Sequence, residues 1–300
     1  MSFRNGIAAL LAATMLAGCA ATKEEPKELR ALVPTGAPAV AMAVASSDVP
    51  TLTLDYTQGT DLLTAELAKS DGDYDIIVAP VNLGLKAYSE NPTYKCAGVL
   101  TWGNLYMVGT DEDALTKEDA EIAAFGEQAI PGMVFKTVEQ SGVKGSISWY
   151  PSVAEAQQAL LAGKADAALL AEPAATAARL KNPDLKVLDD LQENWQASEG
   201  SERKGYPQAA LFVKDDVDDD VLNGLKSTLD SVNVEDESGE LEQIIEDADP
   251  EKLGVPNAKV AVKSWKTQNI ELVSAKDAKK DIETFLKKLK MEIPEGSLRD

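Results

Sequence analysis

From residue 29 onward the chain alternates short apolar runs with stretches of helical period. That is the pattern of a mostly parallel sheet built through helical crossovers. The continuously apolar runs at 75–79 (DIIVA) and 166–170 (DAALL) predict strands buried on both faces. Further strands are predicted at 29–33, 52–56, 95–100, 105–109, 121–125, 146–150, 186–188 and 209–213. Helices are predicted at 39–46, 61–69, 82–89, near Pro131, and at 153–162, 174–181, 221–233, 241–247 and 276–290. Ser152-Val153-Ala154-Glu155 has the form of a capping box, and Gly163 ends the helix it opens. Residues 190–207 show no clear period and read as a long surface loop.

Thr101-Trp102-Gly103-Asn104 breaks the series between two strands, and a second βα series follows. The last third returns to helices. This organisation predicts an α/β protein of two lobes, each a mostly parallel sheet flanked by helices. The first lobe comprises 29–101 and the return segment 210–300; the second comprises 102–209. No repeat of solenoid period is visible.

The first 19 residues read MSFRNGIAALLAATMLAGC. Arg4 gives a positive start, and the apolar stretch 6–16 is too short for a permanent bilayer helix, which needs about 20 residues. The stretch ends in Leu16-Ala17-Gly18-Cys19, which resembles a bacterial lipobox. The expectation is a signal peptide over 1–18, lipidation of Cys19 by palmitate-class acyl chains, and a polar tether over 19–28. An ordinary secretory signal with an incidental cysteine is the alternative.

Charge and composition narrow the chemistry. The chain has 29 Lys and Arg against 50 Asp and Glu, a formal net charge of −21. Nothing there neutralises phosphates in bulk, so nucleic acid is excluded as a partner. There is no histidine, which removes Ser-His-Asp and Cys-His catalysis and His-ligated metal sites. Cys96 is the only cysteine besides Cys19, and its apolar surroundings predict an inert buried thiol. No catalytic residue, metal site or cofactor is expected. Residues 215–251 carry 15 acids against one lysine, Lys226. The run 215–220 (DDVDDD) lacks the glycine and distal glutamate of an EF-hand loop. It reads as a solvated face rather than a calcium site.

In open α/β sheets ligands bind beyond the C-terminal ends of strands. The loops at such ends supply the candidate ligand-binding residues. Thr35, Gly36 and Ala37 open a helix, where free amides point outward; helix punctuation is the bland reading. Gln58 lies in the next such loop. Asn82 follows a buried strand and is either a contact or a helix cap. Thr101, Trp102 and Asn104 lie on the proposed crossover. Trp102 either stacks on a ligand ring or packs between lobes. Gln128, Glu172 and Gln208 complete the set, with Glu172 the favoured acid and a solvated loop carboxylate its alternative.

Several segments together resemble one family. They are the lipobox, 32–38 (LVPTGAP), 59–63 (GTDLL), 74–84 (YDIIVAPVNLG), 101–104 (TWGN), 165–173 (ADAALLAEP) and 206–209 (YPQA). Their order and spacing are similar to those of type II periplasmic solute-binding proteins of ABC importers, in the branch that includes nitrate, sulfonate, taurine and thiamine-precursor binders. The resemblance implies a type II periplasmic-binding-protein-like fold, an inter-lobe cleft and an extracytoplasmic monomer anchored to the membrane. It also implies capture of a small organic solute and delivery to an ABC permease and its ATPase. The chain departs from anion-specific members in having no Lys or Arg in the cleft segments, so a neutral or cationic solute is expected. The competing readings are a cofactor-free lyase on the same fold, with Glu172 as general base, and a surface sensor or adhesin without a transport partner.

Overall fold

The computed structural model describes residues 27–139, 142–235 and 238–299. The proposed leader and the lipidation site at Cys19 lie outside the described residues.

In chain order the elements are β1 (Leu29–Pro34), α1 (Ala37–Ala45), β2 (Leu52–Thr57), α2 (Asp61–Leu67), β3 (Ile76–Pro80), α3 (Val81–Glu90), β4 (Lys95–Thr101) and β5 (Leu105–Gly109). There follow β6 (Glu121–Phe125), α4 (Ile130–Val138), β7 (Ser146–Tyr150), α5 (Val153–Leu161), β8 (Ala167–Ala171), α6 (Ala174–Lys181), β9 (Lys186–Asp190) and α7 (Leu191–Glu199). The chain closes with β10 (Ala209–Val213), α8 (Asp219–Ser231), α9 (Glu240–Asp247), α10 (Pro250–Leu253), α11 (Ala258–Ser264), β11 (Ile270–Ser274) and α12 (Lys279–Lys288).

The strands form two sheets. The first is ordered β11-β4-β10-β3-β1-β2, the second β7-β6-β8-β5-β9. In the first, β1 to β4 run one way, and β10 and β11 oppose them. In the second, β6 to β9 run one way and only β5 opposes them. The reversed strands β5 and β10 have a simple cause. Each is the first strand after the chain crosses between sheets, so it starts at the junction where the other strands end.

Local sequence explains the elements. The run Ile76–Ala79 is wholly buried, as its apolar continuity requires. Helix α1 is almost entirely alanine, valine and methionine and is buried along nearly its whole length. Its small side chains let it sit close against the first sheet, within a core shared with α8 and α9. Ser152 caps α5 as its sequence predicts, accepting from Glu155 N at 3.3 Å.

The structure corrects the reading of 190–207 as a loop. Half of it is helix α7. Asp190 caps it, accepting from Gln192 N at 2.9 Å and Glu193 N at 3.3 Å, and Gly200 ends it at φ 68°. Its buried residues are Leu191, Gln192 and Trp195, so only two apolar positions carry the periodicity. Strand β11 and helices α10 and α11 also escaped the pattern.

The acidic run before α8 has local work. Asp218 accepts from Asp220 N at 2.9 Å and caps the helix. Asp215 pairs with Lys95 at 2.9 Å, Asp216 with Lys27 at 2.7 Å and Asp219 with Arg299 at 2.7 Å. Among the described residues no cluster of three or more acids, cysteines or histidines is arranged for a metal ion. None of the described helices is long and apolar enough to cross a membrane. Cys96 is fully buried, and burial pushes its thiol up to about 12.

Candidate functional site: a cleft between two sheets

A cavity of about 1000 Å³ lies where the two sheets face each other. Its lining includes the ends of β1, β3, β6 and β8 and the starts of β5 and β10. It is therefore built at the strand termini, where loops and helix N-termini converge. Leu63, Leu83, Leu105, Phe125, Ile130 and Val255 make apolar walls. Among the lining residues the charged ones are Glu172 and Glu251; none is Lys or Arg.

Seven predicted residues line this cavity: Thr35, Gly36, Ala37, Asn82, Asn104, Glu172 and Gln208. The loop before α1 is held from both sides. Thr35 N donates to Thr57 O at 2.9 Å and Gly36 N to Leu253 O at 2.8 Å. Gly36 takes φ 100°, a conformation that favours glycine, and no atom would meet a Cβ there, so its backbone faces open space.

Asn104 and Gln208 come from the two crossovers and meet in the cleft. Gln208 Nε2 donates to Asn104 Oδ1 at 3.3 Å, and Asn104 Nδ2 donates to Glu172 O at 3.1 Å. Two acceptors are left over: Asn82 Oδ1 and Gln208 Oε1 are buried with no partner. A buried polar atom without a partner costs free energy, about 1–3 kcal/mol.

Glu172 is 4% exposed and accepts three hydrogen bonds. Oε2 accepts from Thr176 N at 2.9 Å; Oε1 accepts from Thr176 Oγ1 and Thr267 Oγ1, each at 2.8 Å. Burial pushes its carboxyl above the ordinary range, and these donors pull it part of the way back. It caps the start of α6 and joins it to Thr267. Its burial overturns the alternative reading of a solvated loop carboxylate, and three donors from the protein already reach its oxygens.

Four predicted residues are not in the lining. Gln58 and Gln128 are exposed, and their neighbours Gly59, Thr60 and Ala129 line the cavity instead. Thr101 is completely buried in β4. Trp102, read as either stacking on a ligand ring or packing between lobes, packs beneath the cleft at 1% exposure. Its Nε1 donates to Glu271 O at 2.9 Å, and the Arg203 guanidinium lies 5.3 Å from its ring centroid. The reason is connectivity. Gly103 turns the chain at φ 84°, which leaves Asn104 at the cleft and sends the indole into the core.

The crossovers are laced together. Trp102 N donates to Asn269 O at 3.0 Å and Tyr206 N to Trp102 O at 3.1 Å. Asn269 Nδ2 reaches Trp102 O at 2.8 Å and Lys204 O at 3.1 Å. Gly205, at φ 94°, permits this approach, since a Cβ would lie 1.8 Å from Trp102 O.

Sequence reasoning missed the contribution of the return segment. Glu251, Gly254, Val255 and Pro256 line the cavity from around α10. The available signal was Asp249-Pro250, a cap followed by a first-turn proline. Gln157, also missed, ties α5 to α6 by donating to Ala174 O at 2.6 Å.

No family model matches the sequence, and no curated protein matches it by sequence. Solved structures do match in fold. An ABC transporter protein from Parabacteroides distasonis superposes with TM-score 0.76 at 21% identity, covering 92% of this chain and 99% of that one. The periplasmic aliphatic sulphonate binding protein SsuA from Escherichia coli gives TM-score 0.63 at 14% identity, covering 92% and 93%. The ligand-binding component of an ABC-type import system from Staphylococcus aureus, solved with zinc bound, gives 0.59 at 12%, covering 90% and 94%. The fold is thus the two-lobe α/β fold of periplasmic binding proteins. Among the solved proteins that share it are a periplasmic aliphatic sulphonate binding protein and a ligand-binding component of an ABC-type import system, in line with the resemblance read from the sequence.

Proposed function

We propose that this protein is a non-enzymatic extracytoplasmic solute receptor, lipid-anchored through Cys19, that binds a small organic molecule in the cleft and presents it to an ABC permease and its ATPase. The lobes close about the crossovers 101–104 and 204–208, with the second lobe spanning about 102–209. The protein acts as a monomer. The observation that carries the reading is the cleft itself: strand ends from both sheets enclose about 1000 Å³, at the upper end of the size of small-molecule sites. The lining further supports a neutral solute. No Lys or Arg stands ready for an anion, and Glu172 already accepts three hydrogen bonds from the protein. Asn82 Oδ1 and Gln208 Oε1 call for at least two N–H or O–H donors on the solute. A cationic group has one place to go, beside Glu251, which is exposed.

Native mass spectrometry of the full-length protein in detergent tests this reading. A bound small organic molecule in one-to-one ratio, released on denaturation, is the expected result. A sulfonate or phosphate ester in that position would contradict the charge argument.

A further inference from the structure

Thr267 lies between α11 and β11 and does not line the cavity. The second sheet and its helices nevertheless grip it twice. Its Oγ1 donates to Glu172 Oε1 at 2.8 Å, and Tyr106 Oη donates to its carbonyl at 2.9 Å. The hydroxyl has a single proton and a second acceptor within reach, Ser264 O, 3.0 Å away at the end of α11. That one proton has two acceptors to choose between: Glu172 of the second lobe, or Ser264 at the end of α11. Two residues further on, Asn269 Nδ2 contacts the carbonyls of Trp102 and Lys204, one on each crossover.

We infer that Thr267 is a positioning residue that sets the resting opening of the cleft, acting through Glu172 rather than by touching the solute. Bonded to Glu172, it holds the start of α6, which lines the cavity, against the first lobe. Bonded to Ser264, it releases that side and leaves the crossovers 101–104 and 204–208 to flex. Only the consequence for solute affinity rests on the receptor reading; the geometry does not.

The test is hydrogen–deuterium exchange on the full-length protein in detergent, with no solute added. Thr267→Val removes the hydroxyl and keeps the shape, Thr267→Ser restores the hydroxyl, and Tyr106→Phe removes the other half of the grip. Local opening accelerates exchange only in the segments that open. Peptides covering 101–106 and 204–209 should exchange about tenfold faster in Thr267→Val and Tyr106→Phe, while those covering 29–34 and 121–125 stay within about twofold of wild type. Thr267→Ser should match wild type. Unchanged crossovers, uniform acceleration that includes the core strands, or a serine variant that fails to rescue would each overturn the inference. Should Thr267→Val fail to fold, Tyr106→Phe decides alone. Failure of the receptor reading shows separately, as absence of a bound molecule in the mass spectrum.

Discussion

Asn104 and Gln208, 104 positions apart in the chain, meet at 3.3 Å where the two crossovers reach the cleft. That contact leaves Gln208 Oε1 free and Asn104 tied to Glu172 O. Each crossover thus delivers one amide to the binding surface and keeps it oriented by the other. Gln208→Ala should weaken binding of the co-purified solute about tenfold, the loss of one hydrogen bond of about 1.4 kcal/mol. Isothermal titration of the stripped protein measures this; an unchanged Kd would remove Gln208 from the recognition surface.

Trp102 is a structural residue in this account. Trp102→Ala should destabilise the fold by about 3–5 kcal/mol, as for other buried aromatic truncations. Trp102→Phe should leave solute affinity within about twofold while losing the indole's bond to Glu271 O. A tenfold change in Kd for Trp102→Phe would return the ring to the cleft.

Glu139 makes stability pH-dependent. It is 6% exposed, and burial, followed by the Asp189 carboxylate, pushes it up to about 7, while Asn194 Nδ2 donates to it at 3.1 Å. A raised acid stays protonated in the folded state while the unfolded chain has already released its proton. The unfolded state then binds fewer protons, so stability falls as pH rises from about 4.5 to about 7 and stays lower above that. Glu139→Gln should stabilise by about 1–2 kcal/mol at pH 8 and by little at pH 4. Chemical denaturation at the two pH values reads this out; equal gains at both would place the effect elsewhere.

Glu172 carries the joint between α6 and the first lobe. Glu172→Gln replaces an acceptor oxygen with a donor facing Thr176 and Thr267, so it should lower stability by about 1–3 kcal/mol. Solute affinity should fall whatever the solute's charge. Selective loss of cationic solutes with full thermal stability would instead make Glu172 a counter-ion.

Much of the fold was legible because its strands are short, apolar and punctuated by Pro, Gly and Asn. The runs at 76–79 and 209–213 are buried along their length, and such runs read directly as inner strands. Helix α7 was not legible, because Leu191 and Trp195 alone carry its period, and the Asp190…Glu193 cap signal was weaker than the polar background. At the site, residues placed by strand ends were found: Thr35, Asn82, Glu172 and Gln208. The choice between the two readings of Trp102 was not legible, because a sequence shows that a residue lies on a crossover, not which way Gly103 turns it. Glu251 and Val255 were missed because their approach to Thr35 depends on packing of the return segment.

The proposed membrane anchor is a lipid on Cys19. Cys19→Ala should leave an uncleaved precursor or release the protein from the membrane fraction. Wild-type protein that partitions wholly into the aqueous phase of a detergent extraction would contradict lipidation.

The most direct test of solute capture in the cleft is a thermal-shift comparison of wild type with Ala174→Trp, which fills the cavity from the start of α6. The assay uses the co-purified molecule and sets of neutral, cationic and anionic metabolites. At about 100 times its Kd, a solute should stabilise the wild type by about 2.7 kcal/mol, and the Ala174→Trp variant should show no shift. An equal shift in both proteins would place binding outside the cleft and contradict the account.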